Sequence, residues 1–226
     1  MTVTTTEVGR AGRFRIWRRR GGAQALHDLD WPEPMVPTVW LLEVDGPALV
    51  LGSTQRVADV DRSRLESLGV ALATRRSGGG AVLVEPGNGV WIDVLVPRDD
   101  PVWGDDVGRS FTWLGQAWVE ALAALGLPAR VHQGRPDRSA LAAAVCFAGL
   151  GSGEVTVDGA KAVGLSQRRT RAGARLQATC YRQWHPEPLR ALGVEPGALG
   201  AVAEVDRDPE EVAAALIEVL ARPLSR

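Results

Sequence analysis

The sequence predicts an α/β (α+β) fold, with mixed, largely antiparallel sheets and helices packed on them. Three observations carry this expectation. Short apolar or alternating runs, separated by Gly, Pro, Asn and Asp turns, recur between residues 14 and 96 and again between 154 and 182. One long stretch of helical period covers 105–125, and an acidic, proline-bearing start at Asp208 opens a last helix. Strands and helices alternate without a regular βαβ rhythm, so the sheet should be mixed.

Along the chain, residues 1–12 read as a loose, flexible tail, and Phe14-Arg15-Ile16-Trp17-Arg18 alternates as a strand does. Thr38–Val44 and Ala48–Leu51 are strands flanking the turn Asp45-Gly46-Pro47. A short helix is expected over 59–68, then a strand at Val70–Thr74. Ala81–Val84 and Val90–Val96 are expected to form a hairpin around Glu85-Pro86-Gly87-Asn88-Gly89. In 105–125, Val107, Phe111, Leu114, Trp118, Leu122 and Leu125 recur at three- and four-residue steps, and Gly126 is a stop signal. A short strand at 129–132 and a short alanine-rich helix at 139–145 follow. Glu154–Val157 and Lys161–Gln167 make a hairpin turning at Asp158-Gly159, and Arg175–Arg182 is a further strand. The last helix presents Val212, Leu216 and Val219-Leu220 inward.

At 226 residues and 24.1 kDa, with 45% hydrophobic and 23% charged residues, the chain suits one large domain or one domain with small appendages. A formal net charge of −1 gives no global pull toward nucleic acid or membrane. Two cysteines and three histidines, without ligand spacing, predict no disulfide framework and no metal held by protein groups alone. No run has the length of a membrane span. The arginine-rich start leads into Gly21-Gly22 and Asp28, not an apolar stretch, so a cytoplasmic location is expected.

Lys161 is the only lysine; the other 25 of the 26 basic residues are arginines. Lysine is a compact point charge where arginine is a wide planar fork, so a site needing a small cation cannot exchange one for the other. Three segments carry candidate chemistry. In Arg75-Arg76-Ser77-Gly78-Gly79-Gly80-Ala81, bare backbone can approach an anion and two guanidiniums can bind carboxylate or phosphate. No GK[ST] and no helix follow, so this is neither a Walker loop nor a dinucleotide fingerprint. In the 154–161 hairpin, Glu154 is expected to face Lys161, as a surface ion pair or as the orienting partner of a catalytic cation. Gly164, Ser166, Gln167 and Arg168 follow on the same strand. Cys146 is either a core residue or a nucleophile activated by Lys161. The arginine clusters at 10–20 and at Arg168, Arg169, Arg171 and Arg175 read as solvated faces, with Arg168 as the exception.

Taken in order, Arg75 to Val82, Gly87-Asn88 and Gly159-Ala160-Lys161-Ala162-Val163-Gly164-Leu165-Ser166-Gln167-Arg168 resemble the lipoate–protein ligase family. That family shares its catalytic domain with biotin–protein ligases and octanoyltransferases. The similarity runs from about Trp40 to Tyr181. It implies one catalytic domain over 13–226, without a C-terminal accessory domain, and an acyl tunnel in the sheet. It also implies that the arginine-glycine loop covers an acyl-adenylate, with Lys161 at the acyl carboxyl and phosphate. By the same resemblance Asn88 sits in the following motif, Glu154 stands where many relatives have aspartate, and Ser166 and Arg168 lie on the adenylate side. The chain departs from the family at Val84-Glu85, where relatives show His-Asp, and at Gln177-Ala178, where they show His-Gly.

The reading placed first is an ATP-dependent ligase. It would use Mg2+ and ATP to activate lipoate or octanoate and pass it to the lysine of a lipoyl-domain acceptor protein. The second is an ATP-independent octanoyltransferase drawing on acyl carrier protein, with Cys146 as thioester nucleophile. Cys146 falls where such enzymes carry theirs, although they tend to have an arginine at the position of Gly80. The third is a non-catalytic lipoyl- or acyl-binding module. Lys161→Ala is expected to abolish transfer and leave the fold intact.

Overall fold

A computed structural model describes residues 2–107 and 110–223. Its larger sheet has eight strands. In sequence they are β1 (Thr4–Ala11), β2 (Phe14–Gly21), β3 (Thr38–Val44), β7 (Gly89–Pro97), β8 (Ala129–Val131), β9 (Val155–Val157), β10 (Ala160–Arg169) and β11 (Gly173–Tyr181). Their spatial order is β1-β2-β3-β7-β11-β10-β9-β8, with β2 and β3 parallel and every other pair antiparallel. A smaller sheet holds β4 (Ala48–Leu51), β5 (Ala71–Thr74) and β6 (Val82–Val84) in the order β5-β4-β6. The mixed, largely antiparallel expectation is met.

The core lies on both faces of the large sheet. One face packs against α3 (Thr112–Ala124) and α5 (Pro209–Ala221) through Leu114, Trp118, Leu122, Leu216 and Leu220. Asp208 caps α5 by accepting from Glu210 N, and Pro209 fills the first turn. The other face receives the small sheet, α1 (Ala23–His27) and α2 (Arg62–Ser67), so the space between the sheets is where a ligand can be enclosed. α4 (Ala140–Ala144) runs into the short turn that carries Cys146.

Three local expectations are corrected and a fourth is refined. Residues 4–11 of the expected tail are an edge strand paired along β2 through a bulge between Glu7 and Gly9. Only Ala11 of that strand is buried, so no alternating pattern could announce it. The 81–84 and 90–96 segments do not pair with each other: β6 pairs β4, whereas β7 lies between β3 and β11. α3 begins at Thr112, not 105; Val107 is 55% exposed, and residues 108 and 109 lie outside the described residues. Much of the amino-terminal arginine cluster is paired, Arg18 with Glu43 and Glu210, and Arg20 with Asp45.

Candidate active site

The glycine segment links β5 to β6 and is folded by its own first arginine. Arg75 is 5% exposed and donates to Val50 O at 3.2 Å, Gly78 O at 2.9 Å and Gly80 O at 2.7 Å. It therefore gathers loop carbonyls, while Arg76 stays exposed. A methyl group on Gly80 would come within 2.6 Å of Val145 N, so a side chain at 80 would push this backbone away. Ala81 N then donates to Ala144 O, and Cys146 N donates to Ala81 O, both at 2.9 Å. The loop thus docks on the backbone that presents Cys146.

Lys161 is 4% exposed and meets Cys146 from the neighbouring strand. Its Nζ lies 2.6 Å from Glu154 Oε2, donates to Cys146 O at 2.6 Å and Gly149 O at 3.0 Å, and stands 3.6 Å from Cys146 Sγ. The Phe147 ring lies over the same ammonium at 5.1 Å. Glu154 also accepts from Leu165 N at 3.0 Å and Gly151 N at 2.6 Å, so its carboxylate is held from three sides. The predicted pairing of Glu154 with Lys161 is present, but not by facing register. Thr156 faces Lys161, and a bulge between Lys161 and Val163 brings Glu154 diagonally into contact. The turn itself is as expected, with Asp158 and Gly159 both at positive φ.

Beside Cys146 a narrow cavity opens between the sheets, bordered by Phe147, Gly164, Val82, Val84, Trp91 and Thr179. A β-carbon on Gly164 would lie 3.3 Å from Cys146 Sγ and 3.0 Å from the Phe147 ring, so the missing side chain makes room for the thiol. One step along the sheet runs a polar row. Ser77 Oγ donates to Gln177 Oε1 at 2.5 Å, Ser166 Oγ lies 3.1 Å from Ser77 Oγ, and Gln177 Nε2 donates to Asp93 Oδ2 at 3.3 Å. Asp93 is wholly buried and paired with Arg175 at 2.6 Å, and Arg175 also donates to Leu26 O and His27 O. Arg175, expected on a solvated face, is therefore interior. Its pairing satisfies a carboxylate that sits inside the apolar run of β7.

His27 closes this row, stacked on Trp91 at 4.5 Å with Nδ1 3.4 Å from Gln177 Nε2. Burial, and then the charges of Arg175 and Arg75, hold its imidazolium pKa well below the usual value. The folded state therefore keeps His27 neutral while the unfolded chain takes up a proton near pH 6.5, so stability falls as pH drops through that value. Between pH 7.5 and 5.5 the loss from this one group should be about 1.4 kcal/mol. Urea unfolding of wild type against His27→Phe measures it as the difference between the two pH slopes; equal slopes would mean that the ring is charged in place.

The other predicted residues divide. Arg168 is half-buried over the Trp31 ring at 5.2 Å; burial, with Arg76 and Arg175 nearby, lowers its pKa. Among the described residues neither Arg76 nor Arg168 has a carboxylate partner, which leaves two guanidiniums near Ser77 and Ser166 for an anion. Gln167 points to the other face of β10, where it accepts from Ser110 Oγ and donates to Val107 O. Asn88 ties the 85–89 turn to Gln183 and Glu85, away from Cys146 and Lys161. His27, Asp93 and Gln177 were not singled out as site residues in the sequence. The available signal was Asp93, a lone charge inside an apolar strand, which requires a partner.

Residues 23–197 match the family described as the lipoyl protein ligase A/B catalytic domain. The chain belongs to this family. The matched segment contains the glycine loop, Cys146, Glu154, Lys161 and the polar row; β1, β2 and α5 lie outside it. Over 136 residues the chain is 33% identical to an octanoyltransferase LipM of Exiguobacterium sp., covering 58% of this chain and 48% of that protein. It is 27% identical to an octanoyltransferase LipM of Clostridioides difficile, again over 136 residues, covering 59% and 49%. The chain spans about half the length of these curated relatives. The fold superposes on a lipoate-protein ligase A bound with ATP at a TM-score of 0.70, with 21% identity over 94% of this chain and 85% of that one. At these identities the structural likeness is one of fold. Among the described residues no helix is long and apolar enough to cross a membrane.

Proposed function

We propose that this member of the lipoyl ligase family transfers a medium-chain acyl group, octanoyl or lipoyl, to the lysine of a lipoyl domain through a thioester on Cys146. The observation that carries the reading is Cys146, half-buried on the lining of the largely apolar cavity, with its Sγ 3.6 Å from the ammonium of the chain's only lysine. Cys146 Sγ attacks the carbonyl of an acyl thioester carried by acyl carrier protein. The C–S bond to the carrier breaks, and the carrier thiol leaves with the proton. The acceptor lysine, as free amine, then attacks the new thioester, forming the amide and returning the cysteine thiol. Lys161 stabilises negative charge on sulfur in both steps, and Glu154 with the Cys146 and Gly149 carbonyls holds the ammonium in place.

The matched relatives are octanoyltransferases, which supports this reading over the ligase. So does the saturation of Lys161, which would have to leave three close acceptors to reach a carboxylate and a phosphate. One observation keeps the ATP-dependent ligase as the second reading. An open cavity of roughly 650 Å³, bordered by Lys161, Gly149, Arg135 and Asp158, lies on the outer side of the ammonium. Among the described residues no group of three or more His, Cys, Asp or Glu side chains is placed to hold a metal, so Mg2+ would have to arrive on the nucleotide's own phosphates. A pure binding module would have no use for a thiol beside a buried lysine.

Intact-mass analysis after mixing with octanoyl-acyl carrier protein should show one octanoyl adduct, mapped to Cys146 and released by hydroxylamine. Lipoate-driven ATP–pyrophosphate exchange without such an adduct would transfer the conclusion to the ligase.

A further inference from the structure

The acyl cavity has a definite far end. In the register of the large sheet Gly164 faces Thr179, and Thr179 faces Trp91, so these three residues form a row across β10, β11 and β7. All three border the cavity, and Cys146 Sγ sits over the Gly164 end. Gly164 and Trp91 are two strand spacings apart, about 10 Å. An extended octanoyl chain has about this length. Trp91 is a fixed wall: His27 stacks on its ring and its Nε1 donates to Asp93 Oδ1 at 2.9 Å. From the smaller sheet, Val84 belongs to the same buried cluster as Trp91 and borders the same cavity.

Beyond this wall lies a second, larger groove of roughly 600 Å³, lined in part by Glu43, Glu85 and Arg182. The two spaces share Val84, Trp91 and Thr179 and nothing else in their linings. We infer that Val84, Trp91 and Thr179 are the length-determining partition of the acyl site. A chain of about eight carbons ends against them, and with Trp91 held by His27 and Asp93, Val84 is the wall residue whose truncation opens the way to the groove beyond. The polar row, Ser166-Gln177-Asp93 in the same register, forms one side of the cavity through Ser166 and Gln177, and it draws no acyl chain sideways, because its groups already bond one another. The length argument rests on the acyl reading proposed above, so its test carries a readout independent of the thioester.

The test compares wild type, Val84→Ala and Val84→Phe as full chains. Rates of adduct formation are measured with hexanoyl, octanoyl, decanoyl and dodecanoyl thioesters of acyl carrier protein, and binding of the four free acids is measured by calorimetry. Wild type should favour octanoyl. Val84→Ala should raise the dodecanoyl-to-octanoyl ratio at least about ten-fold, since each newly buried methylene is worth roughly four-fold. Val84→Phe should lower the octanoyl rate and spare a hexanoyl donor. A ratio within two-fold of wild type in Val84→Ala, with all three proteins folded by circular dichroism, would overturn the partition. If no protein forms an adduct but the acids bind with a length limit that Val84→Ala relaxes, the thioester route falls and the partition stands.

Discussion

Replacing Cys146 by serine is expected to abolish acyl transfer from a thioester donor, a loss on the order of 10³- to 10⁴-fold, with no change in fold. The substitution exchanges one polarisable sulfur for an oxygen and keeps the backbone bond from Cys146 N to Ala81 O. The carbonyl that receives Lys161 Nζ at 2.6 Å is also retained. Serine oxygen at this position has no general base: the carboxylate of this cluster, Glu154, is already bound by Lys161 and by two backbone N–H groups. Single-turnover transfer to a lipoyl domain measures the effect. A Cys146→Ser protein that still lipoylates with lipoate and ATP would make Cys146 a wall residue and the family's adenylate chemistry the activity of this chain.

Lys161→Ala is the second large effect, and the expectation of an intact fold must be revised. The ion pair with Glu154 is 4% and 6% exposed on its two sides. Removing the ammonium leaves a buried carboxylate with two backbone donors and no counter-charge, and leaves the Cys146 and Gly149 carbonyls without their donor. Breaking such a pair from one side costs about 3–5 kcal/mol. Chemical denaturation should show a loss of that size, along with loss of transfer. The double variant Lys161→Met with Glu154→Gln should recover most of the stability and none of the activity, separating the structural share of Lys161 from its chemistry. A loss under about 1 kcal/mol in the single variant would place the pair in the class of solvent-screened bridges. Lys161→Arg should behave like a disruption, because a planar fork does not fit between two carbonyls and a carboxylate at these distances.

Much of the local structure is legible in the amino-acid sequence alone. β3 and β4 begin and end where apolar runs meet Asp45-Gly46-Pro47, and the 154–169 hairpin turns where Asp158 and Gly159 can take positive φ. Asp208-Pro209-Glu210-Glu211 announces α5 because an oxygen cap and a proline suit a helix start and nothing else nearby. The single lysine and the triple glycine marked the site for the same kind of reason. Each is a residue choice that only a narrow set of backbone or charge requirements explains.

What the chain alone could not decide is which elements meet. Val82–Val84 carries no mark that sends it to Ala48–Leu51 instead of to its neighbour Gly89–Pro97, because backbone donors and acceptors are the same on every strand. Arg175 looks like its exposed neighbours until Asp93 is set on the adjacent strand, two residues from its register partner Leu95, and the short distance from Cys146 to Lys161 exists because Ala81 bonds Ala144 and Cys146. Composition and period determine an element's type, since they act over a few residues. Partners, register and the burial of charge are set by packing over the whole molecule, and the candidate site is made of those three things.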